Sequence, residues 1–295
     1  MRQPVLKLGQ KVRFSMKNFL INTLIILLFV GGLALILYPT VSNIINERNM
    51  STVINRYEDE VNQLDIDTRK AVMEQAHKYN KDFPELYARM SGAEIAVSPE
   101  YTNTLNLSGT GIMGSLQINK IRVNLPVYHG TSDEVLQVAV GHLPETSLPV
   151  GGKSTHAVLS AHTGLPSAKL FTDLDQLEIG DLFSITVLDE VLIYTVDQIL
   201  VVEPEDSREL RIFEGKDYVT LVTCTPYGIN SHRLLVRGTR TILNEKEMED
   251  YFIENDAVFL EKTLLIPVVA IPILLGFFIW DLSRPVPKRS KKSSK

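Results

Sequence analysis

Two stretches of the chain carry no charge, and between them the spacing of apolar residues changes once. Residues 19–38 (FLINTLIILLFVGGLALILY) are a run of 20 uncharged positions, long enough to cross a hydrocarbon core of about 30 Å. Residues 263–280 (TLLIPVVAIPILLGFFIW) form a second run, slightly short and holding Pro267 and Pro272, which membrane helices tolerate better than soluble ones. A cleaved signal peptide is the alternative for the first run. Its apolar core exceeds the roughly 7–15 residues of such signals, and Pro39-Thr40-Val41-Ser42-Asn43 offers no clear small-x-small cleavage site. An uncleaved anchor is therefore favoured. For the second run a buried core helix is the alternative, and its flanks argue against it.

From Val41 to about Phe83 the apolar period is helical: Ile44, Ile45, Val53, Ile54, Tyr57, Val61 and Leu64 recur on one face, with Glu58, Asp59, Glu60, Arg69 and Lys70 as polar-face residues. A break near Asp65-Ile66-Asp67-Thr68 predicts a second helix over 68–79, with Asp67 as its N-cap. Residues 84–110 show no period and hold Gly92, Ser98-Pro99, Asn103, Asn106 and Ser108-Gly109, so a long surface loop is expected, as a lid, a binding loop or a linker. From Gly114 short alternating runs take over. Strands are expected over 114–128, 155–160, 182–188, 191–202, 218–223 and 234–239, with turns at Pro149-Val150-Gly151-Gly152, Gly180-Asp181, Asp189-Glu190, Glu203-Pro204 and Gly228-Ile229-Asn230. Short helices are expected over 133–140 and 170–177, and a longer one over 244–260. Many short strands with few helices between them point to a small β-barrel or sandwich.

Charge orients these elements. Residues 1–18 carry +5 and residues 283–295 carry +6, which leaves −16 of the overall −5 for residues 19–282. By the positive-inside rule both tails are cytoplasmic, so the segment between the spans lies on the outer face. Its acidity argues against nucleic acid or anionic lipid as its ligand; the basic tails hold orientation at the inner leaflet. The outer segment exceeds 200 residues, enough for a core without disulfides.

Cys224 is the one cysteine in the chain, so it has no intrachain disulfide partner. It closes a strand-like run, Asp217 to Thr223, just before Pro226. A free thiol there is either a presented nucleophile or a small buried hydrophobe, and an exported domain that keeps an unpaired thiol strengthens the first reading. Six histidines occur, His77, His129, His142, His156, His162 and His232, without HxH or HxxxH spacing, so a zinc cluster would need ligands scattered over the fold. No glycine-rich phosphate loop or G-x-S-x-G elbow is present. A Cys–His pair remains, in which a neighbouring imidazolium and guanidinium favour thiolate. Arg233 lies nine positions past Cys224 across a Pro-Tyr-Gly turn, a hairpin-like distance; His162 ends an apolar strand before Thr163-Gly164-Leu165-Pro166. A capped surface histidine and a solvated arginine fit that spacing equally well, and periodicity does not choose His162 over His142 or His232.

The motifs around these residues do choose. Thr220-Leu221-Val222-Thr223-Cys224-Thr225-Pro226-Tyr227-Gly228 with His232-Arg233 resembles the TLxTC…R signature of sortases, the Gram-positive cell-surface transpeptidases. Ser160 to Pro166 with Leu170-Phe171-Thr172-Asp173-Leu174 resembles their histidine segment, and TCTPYG, SLPVGG (residues 147–152) and LFTDL resemble class C, the pilus-assembling sortases. The likeness runs from about Tyr38 to Arg240. It implies a mainly β fold: a closed eight-stranded barrel with N-terminal helices, flanked by two transmembrane helices. It implies cleavage of an LPxTG-like signal between Thr and Gly, with Cys224 as nucleophile, His162 as proton carrier and Arg233 holding the substrate backbone or oxyanion, and no metal or cofactor. The partners implied are LPxTG-bearing pilin or surface proteins, with a pilin lysine as acceptor and no nucleic acid. Attachment to the cell-wall precursor is the alternative, and an idle membrane-bound assembly scaffold is another from outside catalysis.

The expected organisation is a cytoplasmic tail (1–18), a span (19–38), extracellular helices (39–83), a loop or lid (84–110), the barrel (111–243), a helix (244–262), a second span (263–282) and a cytoplasmic tail (283–295). Class C enzymes often carry an Asp-Pro-aromatic lid. No such tripeptide occurs in 84–110, where Glu94, Ser98, Pro99 and Tyr101 are the nearest lid candidates. Leu143-Pro144-Glu145-Thr146-Ser147 looks like a sorting signal but lacks the terminal span that follows one, and is read as a coincidental loop.

Overall fold

The computed structural model describes residues 16–256 and Gly276. The second uncharged run and both basic tails, apart from positions 16–18 and Gly276, lie outside the described residues.

Eight strands close into a barrel: β1 (Ile112–Ile118), β2 (Val123–His129), β3 (Val140–His142), β4 (Thr155–Ser160), β5 (Leu182–Val187), β6 (Glu190–Val202), β7 (Asp217–Thr225) and β8 (His232–Thr241), in the order β1-β2-β3-β4-β7-β8-β6-β5. Closure leaves no unpaired sheet edge for another chain to extend. The pairs β2–β3 and β4–β7 are parallel; the others are antiparallel. Inward positions such as Leu116, Ile118, Leu159, Phe183, Ile185, Tyr194, Leu221 and Val236 are almost wholly buried and form the core. Phe183 stacks on Tyr194 with ring centroids 5.5 Å apart. The main chain of Gly238 passes so close to this pair that a Cβ there would lie 2.5 Å from the Phe183 ring and 2.8 Å from Tyr194 Cβ.

The helices coat one side of the barrel. α1 (Met16–Gln63) continues without interruption from the uncharged run into the folded domain, through Pro39. Its buried residues Met50, Ile54, Tyr57 and Val61 recur every three or four positions, which sets them on one face. The Tyr57 hydroxyl donates to Met113 O (3.2 Å) and accepts from Leu188 N (2.9 Å); burial pushes its pKa up to about 12. α2 (Ile66–Arg89) buries Met73, Ala76, Tyr79, Asn80 and Phe83. Asn80 binds the main chain of Leu148 in both directions, Nδ2 donating to the carbonyl (2.9 Å) and Oδ1 accepting from the amide (2.7 Å). α6 (Glu245–Asp256) follows the barrel and leans on it through Tyr251, whose hydroxyl donates to Gln117 O (3.1 Å).

Several expectations need correction. The N-cap of α2 is Asp65, not Asp67: its carboxylate accepts from Thr68 N at 2.9 Å, and Asp67 lies inside the first turn. Residues 84–110 are not a structureless loop. α2 runs through Pro84 to Arg89, and two short helices follow, α3 (Gly92–Ala96), with a capping box at Ser91 and Glu94, and α4 (Pro99–Thr102), capped by Ser98. Proline inside a helix removes one hydrogen bond; the burial of Phe83 and its packing on Tyr87 (5.8 Å between centroids) carry α2 past it. The strand expected over 114–128 is two strands, β1 and β2, bent apart at Arg122, which takes the left-handed conformation (φ 55°). The helix expected over 133–140 ends at Leu136 as α5 (Asp133–Leu136), because Val140 pairs with Val127 as the start of β3. Over 170–177 a single 3-10 turn forms at Leu174–Gln176, after Leu170 adopts φ 43°. β7 extends past Cys224 to Thr225, beyond the expected end at Thr223.

Candidate active site

Three adjacent strands bring the candidate residues toward one end of the barrel: Cys224 lies on β7, Arg233 on β8, and His162 two residues past the end of β4. β7 is the middle strand. On one side it pairs with β8, and Cys224 stands directly opposite Arg233. Directly opposed residues of an antiparallel pair share a face, with Cβ atoms about 4.5–5.5 Å apart. On the other side β7 pairs with β4 in parallel, up to Ser160 opposite Val222. The match continues beyond the end of β4: Ala161 N donates to Val222 O (3.2 Å), and Thr223 Oγ1 donates to Ala161 O (2.8 Å). Carried one residue further, that register would put His162 level with Cys224. Both strands point the same way, so both residues lie at their C-terminal ends, where the chain leaves the sheet.

Local structure keeps each side chain presented. The turn after Cys224 is closed by Ile229 N and Asn230 N, both donating to Pro226 O (3.0 and 2.9 Å), with Gly228 and Asn230 at positive φ. Arg233 Nη1 donates back to the His232 carbonyl (3.2 Å) and the Asn230 carbonyl (3.4 Å), which holds the guanidinium over this turn. After His162 the chain loops out and returns: Phe171 N donates to His162 O (3.1 Å), and Gly164 N donates to Thr172 Oγ1 (3.0 Å). Gly164 has φ 75°, and a Cβ there would lie 3.1 Å from the Tyr227 ring, so this loop and the turn after Cys224 pack directly on each other. Cys224 and His162 are half-buried, the exposure expected of groups that must meet a substrate and still be held in place.

The remaining histidines occupy other environments. His142 is fully buried: Nε2 donates to Ser147 O (2.7 Å), which leaves Nδ1 to accept from the Tyr101 hydroxyl (2.9 Å). Burial drives its pKa down to about 3, so the ring is neutral. His156 lies between Arg211 O and Thr220 Oγ1 (2.7 Å each), and burial lowers its pKa too. His129 faces the carbonyls of Gly111 and Thr104 (2.9 and 2.8 Å). His232 makes an exposed contact with Glu203 (3.4 Å). Among the described residues no three metal-ligating side chains gather in one place.

The four lid candidates lie in the packing of α3 and α4. Tyr101 is fully buried, donating to His142 and accepting from Gly130 N (2.9 Å). Ser98 and Glu94 cap α4 and α3, and Pro99 opens α4. These contacts join the short helices to β2 and β3. What does stand beside the thiol end of the barrel is α1. Lys169 N donates to Asn43 Oδ1 (2.7 Å), and Ser42 Oγ donates to Ser167 O (3.1 Å). Between α1 and the His162 loop lies a groove of about 230 Å³, which Tyr227 also lines. Neither α1 residue carries a sequence signal for this role; Tyr227 lies inside the TCTPYG motif. Residues 143–147 form a folded turn of the barrel wall, Thr146 donating to Leu143 O (2.8 Å) and Ser147 fully buried, so the signal-like pentapeptide is not an accessible strand.

Residues 116–241 match the sortase domain family. Among solved structures, the chain is similar to sortase C1 of Streptococcus agalactiae (48% identity, 65% of this chain and 100% of that one, TM-score 0.62) and to sortase C of Streptococcus pneumoniae (43%, 65% and 97%, 0.58). It is also similar to Clostridium perfringens sortase C solved with the C-terminal cell wall sorting motif (43%, 65% and 100%, 0.58). Sortase A of Streptococcus agalactiae is 28% identical over 211 residues, covering 70% of this chain and 79% of that protein. A closed barrel with this likeness defines a cysteine transpeptidase: the chain belongs to the sortase family. The three solved relatives named above are sortase C enzymes, and this is a class C sortase.

Proposed function

We propose that Cys224, His162 and Arg233 carry out transpeptidation on LPxTG-like sorting signals and that the acceptor is a lysine of a pilin. The observation that supports this reading most directly is the register of β4, β7 and β8, in which Cys224 stands opposite Arg233 and β4 ends two residues before His162. The thiolate of Cys224 attacks the carbonyl carbon of the signal's Thr. As the Thr–Gly bond breaks, His162 gives its proton to the Gly nitrogen, and a thioester remains on Sγ. The lysine amine then attacks the thioester carbonyl, His162 takes up the amine's proton, and the C–S bond breaks to return the thiolate and leave an isopeptide. Arg233, opposite Cys224, stabilises the oxyanion of each tetrahedral intermediate by charge and hydrogen bonding.

Class C membership favours a pilin lysine over the cell-wall precursor, and identity is higher to sortase C1 (48%) than to sortase A (28%). One relative, the sortase C of Streptococcus pneumoniae, is described in terms of its pilin substrate specificity. The enzyme acts at the membrane. α1 is the one helix among the described residues long and apolar enough to cross a bilayer, and Leu20, Leu27, Leu28, Leu35 and Ile36 on it are exposed, which suits lipid rather than water. With both basic tails in the cytoplasm, the barrel lies outside.

The test is mass spectrometry of the detergent-solubilised chain after incubation with an LPxTG peptide. Wild type carries a thioester-linked adduct on Cys224, and Cys224→Ala carries none. An intact, folded wild type without adduct excludes this function. Adding a pilin lysine peptide or a glycine-bearing wall mimic to the acylated enzyme then identifies the acceptor by which one discharges it.

A further inference from the structure

We infer that the groove between α1 and the His162 loop binds the part of the sorting signal that follows the cleaved bond, a short uncharged peptide stretch on its way to the membrane. This rests on the thioester reading above and adds to it a site for the departing segment.

Polarity comes first. His162 protonates the leaving nitrogen, so the departing segment lies on the His162 side of the thiol, toward β4, while Arg233 occupies the β8 side. The groove begins on that side. Leu165, Pro166 and Thr172 of the His162 loop form one wall, Thr40 and Asn43 of α1 the other, and Tyr227 also lines it. It adjoins the site: its lining includes Gly164, two residues past His162, and Tyr227, three past Cys224.

The groove is also built. Lys169 N to Asn43 Oδ1 (2.7 Å) and Ser42 Oγ to Ser167 O (3.1 Å) tie its two walls together, and Gly164 N to Thr172 Oγ1 (3.0 Å) fixes the loop. Its direction follows from α1. Thr40 and Asn43 come two and five residues after Tyr38, the end of the uncharged run, so the outer wall is the part of the domain nearest the bilayer. A sorting signal leads into a membrane span, so the residues after its Gly must travel from the thiol to that same surface. The groove lies on this path.

Its chemistry and size limit the occupant. Leu165 and Pro166 are apolar, while Thr40, Asn43 and Thr172 are polar but uncharged; the Lys169 ammonium is engaged by Asp173 at 2.7 Å. A cavity of about 230 Å³ lies below the roughly 300–1,000 Å³ of drug-sized ligand sites. Small uncharged residues fit it, and bulky ones do not.

The test compares two peptides with the full-length chain in lipid nanodiscs. One ends at the Gly of the motif as an amide, and the other continues for three small uncharged residues. The measurement is kcat/KM for acylation of Cys224. In wild type the longer peptide is better by on the order of tenfold, the return expected from burying one or two small side chains. Thr40→Trp and Leu165→Trp fill the groove from opposite walls, and each brings the long-to-short ratio close to one. The ratio is taken within each variant, so a partly folded fraction cancels. Thr52→Trp, farther along α1 on its exposed face, retains the ratio. Equal rates for both peptides in wild type overturn the inference, as does a full ratio in both groove-filling variants. Failure of both peptides to acylate wild type refutes the thioester reading itself, a separable result.

Discussion

Arg233 reaches the thiol end of the barrel only because β7 and β8 are paired with Cys224 opposite it. Its planar guanidinium presents donors in a fixed fork, which a lysine ammonium does not reproduce. Arg233→Lys is therefore expected to lower kcat/KM by roughly 10²–10³, the usual cost of losing one oxyanion donor, while Cys224 still reacts with a small alkylating reagent at a similar rate. Retained turnover in Arg233→Lys would show that a point charge suffices. His142 makes a different prediction, about stability. Its pKa is about 3 in the fold and about 6.5 in an unfolded chain. The unfolded state thus binds a proton that the folded state refuses, and stability falls as pH drops below 6.5. Between pH 6.5 and 5 this one residue accounts for about 2 kcal/mol. Thermal melts across that range should slope downward toward acid in wild type, and the slope should be shallower in His142→Gln, whatever its starting melting temperature.

At the scale of elements, the strands with regular alternation are legible in sequence, and the short or bent pieces are not. β4 is legible at its true limits, because Thr155 to Ser160 is a compact apolar run. β3 has three residues, α3 five and α4 four, too few for any period to register. Asn80 clasps Leu148 from 68 positions away, a contact that no local pattern announces. The same holds for the site. The proposed pairing of Cys224 with His162 depends on the parallel ladder of β4 with β7, and spacing alone leaves His142 and His232 as equal candidates. The flanking motifs favour His162, and the burial of His142 between Tyr101 and Ser147 is a physical reason against that residue. Gly238 tests the packing beneath these strands. A methyl group there collides with Phe183 and Tyr194, both fully buried. Gly238→Ala should cost about 1–3 kcal/mol, typical of overpacking, read as a lower midpoint in denaturant with an unchanged slope.

For the whole molecule, the unpaired thiol is a built-in topology probe. A membrane-impermeant maleimide added to intact cells should label the wild-type chain at Cys224, its one cysteine. A Cys224→Ser chain that also carries Ser294→Cys should stay unlabelled until the membrane is opened, because the basic C-terminal tail is proposed to be inside. Labelling of the tail in intact cells would reverse the orientation.

α1 is one continuous helix from Met16 to Gln63, so under the proposed anchoring the bilayer and the barrel share a single rotational phase. Each added residue turns everything beyond it by about 100° and lifts it by about 1.5 Å. Two residues inserted between Tyr38 and Ser42 would swing Ser42 and Asn43 roughly 200° away from the His162 loop, whereas seven would restore their bearing within about 20° and raise the thiol by about 10 Å. Anchored as proposed, the helix would work as a keyed shaft, fixing both the angle and the height at which the catalytic end meets a membrane-tethered chain.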